Sequence, residues 1–443
     1  MKQIRIAAAI LLFTTLACSL IPAVVQTSTP TLSPPVIASP TVFLTAEPSA
    51  PPILEEADGT NLPPVTVPAP AASPQPAVAH HHPDDPIAPD RIAMIDALNG
   101  WAISGADVLF TTDGAQTWRE ATPPEVLTPG SQVQAQGTFL DSDHAWVVFS
   151  FDNQIPASAV VWHTSDSGQT WTSSASLEHQ AYGEQVWAEF FALDAAHLWL
   201  MVRGVYLGAG THYATQFLRS VDGGRTWLPL TGDVGVDYTG MVFADPNHGL
   251  ITWQTAGFYA PSPPEYALTS DGALNWDVRQ LPPPADAANL FETSPYCEPF
   301  QPHMLSSRSI HLLVGCFDEH DPPQVFNSYL YSSEDGGSTW TSIPLPEKVL
   351  AHQAALSFFD EDNALLLGRD IYRSAVGGLR WEYVKSVHWD AQFSFVDPQT
   401  GWAIARANGQ TALVKTSNGG AAWVEIKPVV GPWTMNQGPS MIK

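Results

Sequence analysis

Short apolar stretches alternate with turn-forming residues along most of the chain, and they recur in a fixed order. Strand-like segments such as QGTFL (136–140) and QFSFV (392–396) precede a turn that contains Asp or Asn. A second apolar segment follows that turn, as in HAWVVF (144–149) and GWAIA (401–405). Segments of four to eight residues bounded by turn residues are typical of β-strands. The pattern therefore predicts an all-β chain.

Each group continues with a third strand, a short motif that ends in Trp, and a fourth strand. TSDSGQTW (164–171), SVDGGRTW (220–227) and SEDGGSTW (333–340) fit the pattern S/T-x-D-x-G-x-T-W. TTDGAQTW (111–118) and TSDGALNW (269–276) keep the hydroxyl, the Asp and the Trp. SAVGGLRW (374–381) and TSNGGAAW (416–423) have Val and Asn in place of the Asp. The motif thus marks seven repeats.

The motif has a structural explanation. The carboxylate and the hydroxyl can bind backbone amides across a tight turn, and Gly168, Gly224 and Gly337 can adopt the positive φ that such a turn needs. The closing Trp anchors the hairpin by burying a large ring. We predict that these motif residues are structural: Asp113, Trp118, Asp166, Trp171, Asp222, Trp227, Asp271, Trp276, Asp335, Trp340, Trp381 and Trp423.

Repeats of roughly 40 to 65 residues with four short strands each are typical of propeller blades. We predict a seven-bladed β-propeller of four-stranded antiparallel blades over residues 90–428, since stacked blades bury one another's faces. Its first inner strand would begin at Ile92 and its last outer strand would end near Ile426. On that phasing no strand is exchanged between the termini, unless the C-terminal tail, residues 429–443, folds back.

The N-terminus has the pattern of a secretory signal. Lys2 and Arg5 precede an apolar stretch of 11 residues (6–16), which is long enough for a signal peptide and short for a membrane span. Leu16-Ala17-Cys18 is similar to a bacterial lipobox, although Thr15 departs from it. We predict a lipoprotein signal over residues 1–18 with lipidation at Cys18; ordinary cleavage or a retained anchor are the alternatives.

Residues 19–89 are rich in Pro, Thr, Ser and Ala and show no periodicity. We predict a disordered, extended linker that cannot bury enough apolar surface to fold. It would tether the propeller to the membrane. The expected location is therefore extracytoplasmic, as a membrane-anchored lipoprotein at a bacterial cell surface or in the periplasm.

Charge and cysteine content narrow the classes of partner and compartment. The net charge is −26, from 44 acidic and 18 basic residues, and such a surface repels phosphate backbones and anionic lipids. Nucleic acid is therefore excluded, and contact with the membrane is expected only through the N-terminal lipid. Cys297 and Cys316 are expected to form a disulfide in an oxidising compartment, with two buried free thiols as the alternative.

The signals for a metal or cofactor are weak. His80, His81 and His82 could catch a metal ion, but adjacent histidines in a flexible linker rarely form a closed site. The acidic run Asp318 to Asp321 has the most suitable composition for calcium or another divalent cation, yet a solvated loop is the simpler explanation. We expect no cofactor, with calcium as the weak alternative, and leave the metal unassigned.

Two segments, LNGWAISGADVLFTTDGAQTW (98–118) and DPQTGWAIARANGQTALVKTSNGGAAW (397–423), carry a family resemblance. The pairing of a G-W-A strand with a following Asp-containing turn resembles the photosystem II stability/assembly factor family of Asp-box propellers. Sialidases, sortilin-type receptors and some glycanases share the turn motif. The resemblance implies an extracytoplasmic binding or assembly role without catalysis; a photosystem-assembly-like factor is one alternative.

A sialidase-type exo-glycosidase is the other alternative. The sialidase resemblance would require three arginines that clamp a carboxylate, together with a Tyr nucleophile, a Glu and an Asp. In that family the first arginine lies in an Arg-Ile-Pro motif; here Arg91-Ile92-Ala93 occupies the place. The later arginines are sparse and form no recognisable triad. We therefore expect that the chain is not an enzyme.

Binding would use loops at one rim of the propeller, because insertions there mark specialisation. Three stretches exceed their counterparts in other repeats, residues 204–213, 257–265 and 291–308. They supply four candidate ligand-binding residues: Tyr206, Tyr213, Tyr259 and Tyr296. Exposed aromatic rings can stack on sugars or anchor a peptide, although they could instead pack over their own blades. We expect a monomer that recognises a protein or glycan at the cell surface.

Overall fold

The computed structural model describes residues 72–124, 132–152, 155, 159–177, 187–206, 213–230, 238–253, 262–293, 296–317, 325–347, 349–351 and 353–432. The predicted signal, Cys18 and most of the predicted linker lie outside these residues. Within them, no helix has the length and apolarity needed to cross a membrane.

Seven four-stranded antiparallel sheets follow one another along the chain, which confirms the predicted propeller. A short strand, β1 (Gln75–Pro76), lies before the first blade. Blades 1 to 3 comprise β2 (Arg91–Met94), β3 (Gly100–Ser104), β4 (Asp107–Thr111), β5 (Thr117–Glu120); β6 (Val133–Phe139), β7 (His144–Phe151), β8 (Trp162–Ser165), β9 (Thr170–Ser173); β10 (Trp187–Ala192), β11 (Leu198–Tyr206), β12 (Tyr213–Ser220) and β13 (Leu228–Pro229).

The remaining four blades repeat the same order from inner to outer strand. They comprise β14 (Tyr238–Phe243), β15 (Gly249–Trp253), β16 (Glu265–Thr269), β17 (Asp277–Gln280); β18 (Tyr296–Met304), β19 (Ile310–Phe317), β20 (Val325–Ser333), β21 (Thr341–Pro344); β22 (Ala355–Phe358), β23 (Asn363–Leu367), β24 (Asp370–Ala375), β25 (Glu382–Ser386); β26 (Asp390–Phe395), β27 (Gly401–Ala407), β28 (Gln410–Thr416) and β29 (Val424–Ile426). One helical turn, α1 (Leu290–Thr293), precedes blade 5, and β30 (Val429–Val430) follows blade 7.

The two ends of the described chain add a fifth strand to blades 1 and 2. β30 pairs in parallel with β5, the outer strand of blade 1, so the first residues of the C-terminal tail fold back and join the last blade to the first. β1 pairs with β9, the outer strand of blade 2. The linker was expected to remain disordered to residue 89, and this is wrong for residues 72–89. Backbone bonds to both blades and to the tail, such as Val78 N–H to the Thr122 carbonyl, hold this N-terminal arm in place.

Aromatic side chains of one blade fasten the turn of the next. The indole N–H of Trp146 in blade 2 donates to the carbonyl of Gly223 in the blade 3 turn, and Trp402 of blade 7 does the same to Gly114 of blade 1. Gly224 has a φ of +82°, and a Cβ there would lie 2.8 Å from the Trp146 ring. A side chain is therefore excluded at Gly224 by backbone conformation and by contact with the neighbouring blade.

The aspartate turns have the hydrogen bonds that their sequence predicts. In blade 2, Asp166 Oδ1 accepts the backbone N–H groups of Gln169 and Thr170, and its Oδ2 accepts the Thr170 hydroxyl at 2.7 Å. The Thr164 hydroxyl donates to Asp166 Oδ1 and accepts the Gly168 N–H. In blade 5 the corresponding bonds from the Thr339 backbone and hydroxyl lower the pKa of Asp335 to about 2. The carboxylates thus serve the turn.

The sixth turn lacks its carboxylate, and restoring it should stabilise the protein. Val376 occupies the Asp position and is 42% exposed, while the Ser374 hydroxyl still accepts the Gly378 N–H. Val376→Asp should raise the free energy of unfolding by about 0.5–1.5 kcal/mol, because the new carboxylate can accept the Ser374 hydroxyl and the Arg380 N–H. Urea unfolding measures the gain. Leu379→Asp is the matched control in the same exposed turn. An equal gain in unfolding free energy there would mean that the added charge, and not the new hydrogen bonds, causes the effect.

Candidate functional site

The strand order divides the propeller into two faces. In each antiparallel blade, the turn between the first and second strands and the turn between the third and fourth strands lie at the same end. All seven aspartate-type turns therefore lie on one side, which we call the aspartate face. The connections between second and third strands, and those between successive blades, lie on the opposite side, which we call the loop face.

Two of the three long stretches join second to third strands, and so they belong to the loop face. In blade 3 the backbones of Tyr206 and Tyr213 are register partners at the end of the β11–β12 hairpin. Tyr259 lies outside the described residues. The third stretch, residues 291–308, is not an inserted loop: half of it is strand β18, and Tyr296 begins that strand opposite Phe317. The topology thus places Tyr206, Tyr213 and Tyr296 toward one face.

Cys297 and Cys316 form a disulfide between neighbouring strands. They are register partners in β18 and β19, with their Cα atoms 4.1 Å apart, and both side chains are buried. The disulfide lies near the loop-face end of blade 5. It links the two innermost strands of that blade.

Glutamine side chains line the joints between inner strands. Gln392 of blade 7 accepts the Ile92 N–H of blade 1 and donates to the Ile92 carbonyl. Gln136 accepts the Ala188 N–H, and Gln301 donates to the Ala354 carbonyl and accepts the Leu356 N–H. These side chains satisfy backbone N–H and C=O groups at the open edges of the inner strands, which do not pair with one another into a closed sheet.

Charged side chains also lie near the loop-face ends of the inner strands. Arg91 begins the inner strand of blade 1; burial lowers its pKa, and the negative charge of Glu189 in blade 3 opposes that shift. Arg91 is nonetheless exposed, so neighbouring blades surround the guanidinium while water still reaches it. Glu189 is partly buried. The two charges interact although blade 2 lies between their strands in sequence.

A second charged group lies at blades 6 and 7. The Arg369 guanidinium donates to both carboxylate oxygens of Asp390, at 2.6 and 2.7 Å, and these bonds lower the pKa of Asp390. Arg406 donates to the Asp90 carbonyl at 2.9 Å. Arg91, Arg369 and Arg406 therefore belong to three successive blades around the ring. Arg91 lies far from Arg369 and Arg406 in the sequence, so the sequence alone does not indicate that the three residues belong to neighbouring blades.

One group of metal-ligand residues is assembled in the part of the chain that the structure describes. His80 of the N-terminal arm meets Asp107 and Glu120 of blade 1, with one potential ligand atom from each within 4.8 Å of the others. The acidic run Asp318 to Asp321 lies outside the described residues. Sequence reasoning noted the histidines and missed the carboxylates, because Asp107 and Glu120 are 27 and 40 residues from His80.

Comparison with known proteins gives a curated relative and solved structures of the same fold. No protein-family model matches the sequence. A xyloglucanase from a Paenibacillus species is 26% identical over 280 residues, which is 58% of this chain and 26% of the relative. The chain thus spans about a quarter of the length of the curated relative that it matches.

Solved structures share the propeller fold. YCF48 bound to D1 peptide is 16% identical with a TM-score of 0.48, covering 78% of this chain and 100% of that chain. The GH74 xyloglucanase from Xanthomonas campestris is 15% identical with a TM-score of 0.40, covering 76% and 60%. The α-L-arabinofuranosidase Arb93A from Fusarium graminearum is 13% identical with a TM-score of 0.42, covering 68% and 95%. At these identities the likeness concerns the fold.

The YCF48 structures share the propeller fold that the resemblance implied, and the comparisons correct one expectation. The chain was expected not to be an enzyme, and the curated relative, a xyloglucanase, overturns that expectation. Glycoside hydrolases also recur among the structures of this fold. YCF48 is bound to a D1 peptide in one of these structures, and another is a xyloglucanase.

Proposed function

We propose that the propeller is a polysaccharide-directed domain of glycoside hydrolase type that engages its substrate on the loop face. The observation that carries the proposal is the 26% identity over 280 residues with a xyloglucanase. The strand order supports the choice of the loop face, because the long connections and the inner-strand charges lie at that end of the ring. Propellers commonly use such loops for binding, since a rigid scaffold positions them.

Glu189 and Asp390 are the carboxylates that we expect to act on the substrate. Hydrolysis of a glycosidic bond requires two of them, one as acid and one as base or nucleophile. Arg369 lowers the pKa of Asp390, which therefore stays ionised at neutral pH, as suits a base or nucleophile. Glu189 is partly buried and interacts with the charge of Arg91, and we assign it as the second carboxylate of the pair. The two residues come from inner strands of blades 3 and 7.

The test is turnover of soluble polysaccharides by the full-length protein, measured as released reducing ends. We expect activity on a xyloglucan-type β-glucan, reduced at least about 100-fold by Glu189→Gln or Asp390→Asn because each removes one proton-transfer group. Glu361→Gln, an exposed carboxylate on the aspartate face, is the matched control and should leave turnover unchanged. Release no greater than that of heat-inactivated protein on xyloglucan, arabinan and mixed-linkage glucan would refute the hydrolase. Activity that survives both loop-face variants would refute the site.

We also propose an extracytoplasmic, membrane-anchored location for this activity, with lipid at Cys18 as the membrane contact and a monomeric propeller. The disulfide supports an oxidising compartment. A polysaccharide substrate would be met outside the cytoplasm as well. The expected tether would let the propeller reach material at some distance from the membrane.

A further inference from the structure

The arm that precedes blade 1 carries the second group of functional side chains. The backbones of His80 and His81 are bound to blade 1, because their N–H groups donate to the Glu120 carboxylate at 2.7–2.9 Å. The Glu120 side chain has no exposed surface. An arm held by a buried carboxylate in this way is pre-organised, unlike a free run of histidines.

The ring nitrogens then meet a second carboxylate. His80 Nδ1 lies 2.6 Å from Asp107 Oδ1 and 3.7 Å from Glu120 Oε1, and His81 Nε2 lies 2.9 Å from Asp107 Oδ2. Glu120 accepts three backbone bonds, one at Oε1 and two at Oε2, so Oε1 keeps a lone pair beside His80. One imidazole and two carboxylate oxygens therefore converge from three separate segments of the chain.

We propose that His80, Asp107 and Glu120 form a binding site for a divalent transition-metal ion of the zinc class. Nitrogen and carboxylate ligands hold zinc at roughly 2.0–2.2 Å, which separates ligand atoms of a tetrahedral site by about 3.4 Å. The separation of 3.7 Å between His80 and Glu120 is close to that value, and the His80–Asp107 contact would lengthen by less than about 1 Å. Two carboxylates balance the charge of the ion.

His81 has a supporting part in this site. It binds the far oxygen of Asp107 and so orients the near oxygen toward His80, as the outer partners of metal-ligating carboxylates do. The fourth coordination position is left to water or to an external ligand. Calcium fits poorly, because it prefers six to eight oxygen ligands and no imidazole.

The consequence of metal binding is mechanical. The arm continues from His80 to Asp84 and Asp85, whose backbones bind Val430 of the C-terminal strand. A metal ion that joins His80 to blade 1 would therefore fasten the N-terminal arm where the C-terminal tail joins the last blade to the first. It would give the tether a fixed exit from the propeller.

The experiment is titration of Zn²⁺ alone into metal-stripped full-length protein, followed by calorimetry. We expect one ion per chain and slower proteolysis within residues 72–90 when zinc is bound. Asp107→Asn, which keeps the side-chain shape, and His80→Ala should each weaken affinity beyond the roughly 10–100-fold that loss of an outer partner causes. His82→Ala is the matched control, because His82 is exposed and its backbone N–H donates to Asp85. The zinc affinity of this variant should match that of the parent protein.

A proton is the competing occupant of this cluster. Burial lowers the pKa of His81, but the hydrogen bond and the charge of Asp107 outweigh it and raise that pKa, so a protonated His81 paired with Asp107 is the alternative to a bound metal ion. Absence of zinc binding to the parent protein would overturn the proposal in favour of that ion pair. Equal losses in His82→Ala and His80→Ala would also overturn it, because the histidine run alone would then bind the ion. Near-ultraviolet circular dichroism verifies that each variant keeps the fold.

Discussion

Replacing Trp171 with alanine should lower the free energy of unfolding by about 3–5 kcal/mol, the usual cost of truncating a fully buried aromatic residue. Trp171 has no exposed surface, and its indole N–H donates to the Ala121 carbonyl of blade 1 at 2.9 Å. The substitution therefore removes a buried ring, leaves an unpaired carbonyl and opens the joint between two blades. Urea unfolding at constant slope measures the loss.

Trp227 is the matched comparison, because it closes the same motif in blade 3. It is partly exposed, and its N–H binds the Gly224 carbonyl within its own turn. Trp227→Ala should cost only about 1–2 kcal/mol, since less apolar surface is removed from contact. The sequence alone predicts the same loss of unfolding free energy for both substitutions, because both residues close the same motif. Equal losses of unfolding free energy in the two variants would show that pairing of β1 with the strand of Trp171 adds nothing to the stabilisation by this residue.

Val430→Asp should destabilise the protein by about 3–5 kcal/mol, because it places an unpaired charge in an apolar site. Val430 has no exposed surface and packs with Ile87 and Trp118, at the contact between the C-terminal strand and blade 1. The expected response is detachment of the tail, which would uncover Trp118 and shift its fluorescence to longer wavelength. The cost cannot exceed that of detaching the strand.

Val424→Asp is the control for this substitution. Val424 lies on the adjacent outer strand of blade 7 and is 69% exposed, so the same chemical change there should alter stability by less than about 0.5 kcal/mol. If Val430→Asp also fell within that range, with unchanged Trp fluorescence, the tail would not contribute to closing the ring. Both proteins can be compared in one set of thermal and urea unfolding curves.

Much of the fold follows from local sequence patterns. Four apolar segments per repeat, each bounded by turn residues, define the strands, and the motif that ends in Trp defines the turn between the last two. The hydrogen bonds of Asp166 stay within four residues of it, so they can be predicted from the motif alone. The cross-strand position of Cys297 and Cys316 also depends on one hairpin.

The candidate site depends on long-range contacts, and these are not encoded in any local pattern. The proposed pairing of Glu189 with Asp390 depends on seven blades forming a ring, and Tyr206 and Tyr213 are recognisable as register partners only once their hairpin is known. Composition described the residues near His80 as linker. Their hydrogen bonds go to blades that begin later in the chain, so no local propensity could indicate order there.

The sequence by itself determined the strands, the turns and the number of blades, because each follows from a pattern that lies within one repeat. The tertiary structure decided which of the equivalent motif tryptophans are fully buried and which are partly exposed. Trp118 and Trp171 are fully buried while the five later motif tryptophans are partly exposed, since β30 and β1 cover only blades 1 and 2. Tertiary structure also decided that His80 meets Asp107 and Glu120. Both outcomes depend on where the two chain ends lie: they bind each other at Asp84, Asp85 and Val430 and cover the outer strands of blades 1 and 2.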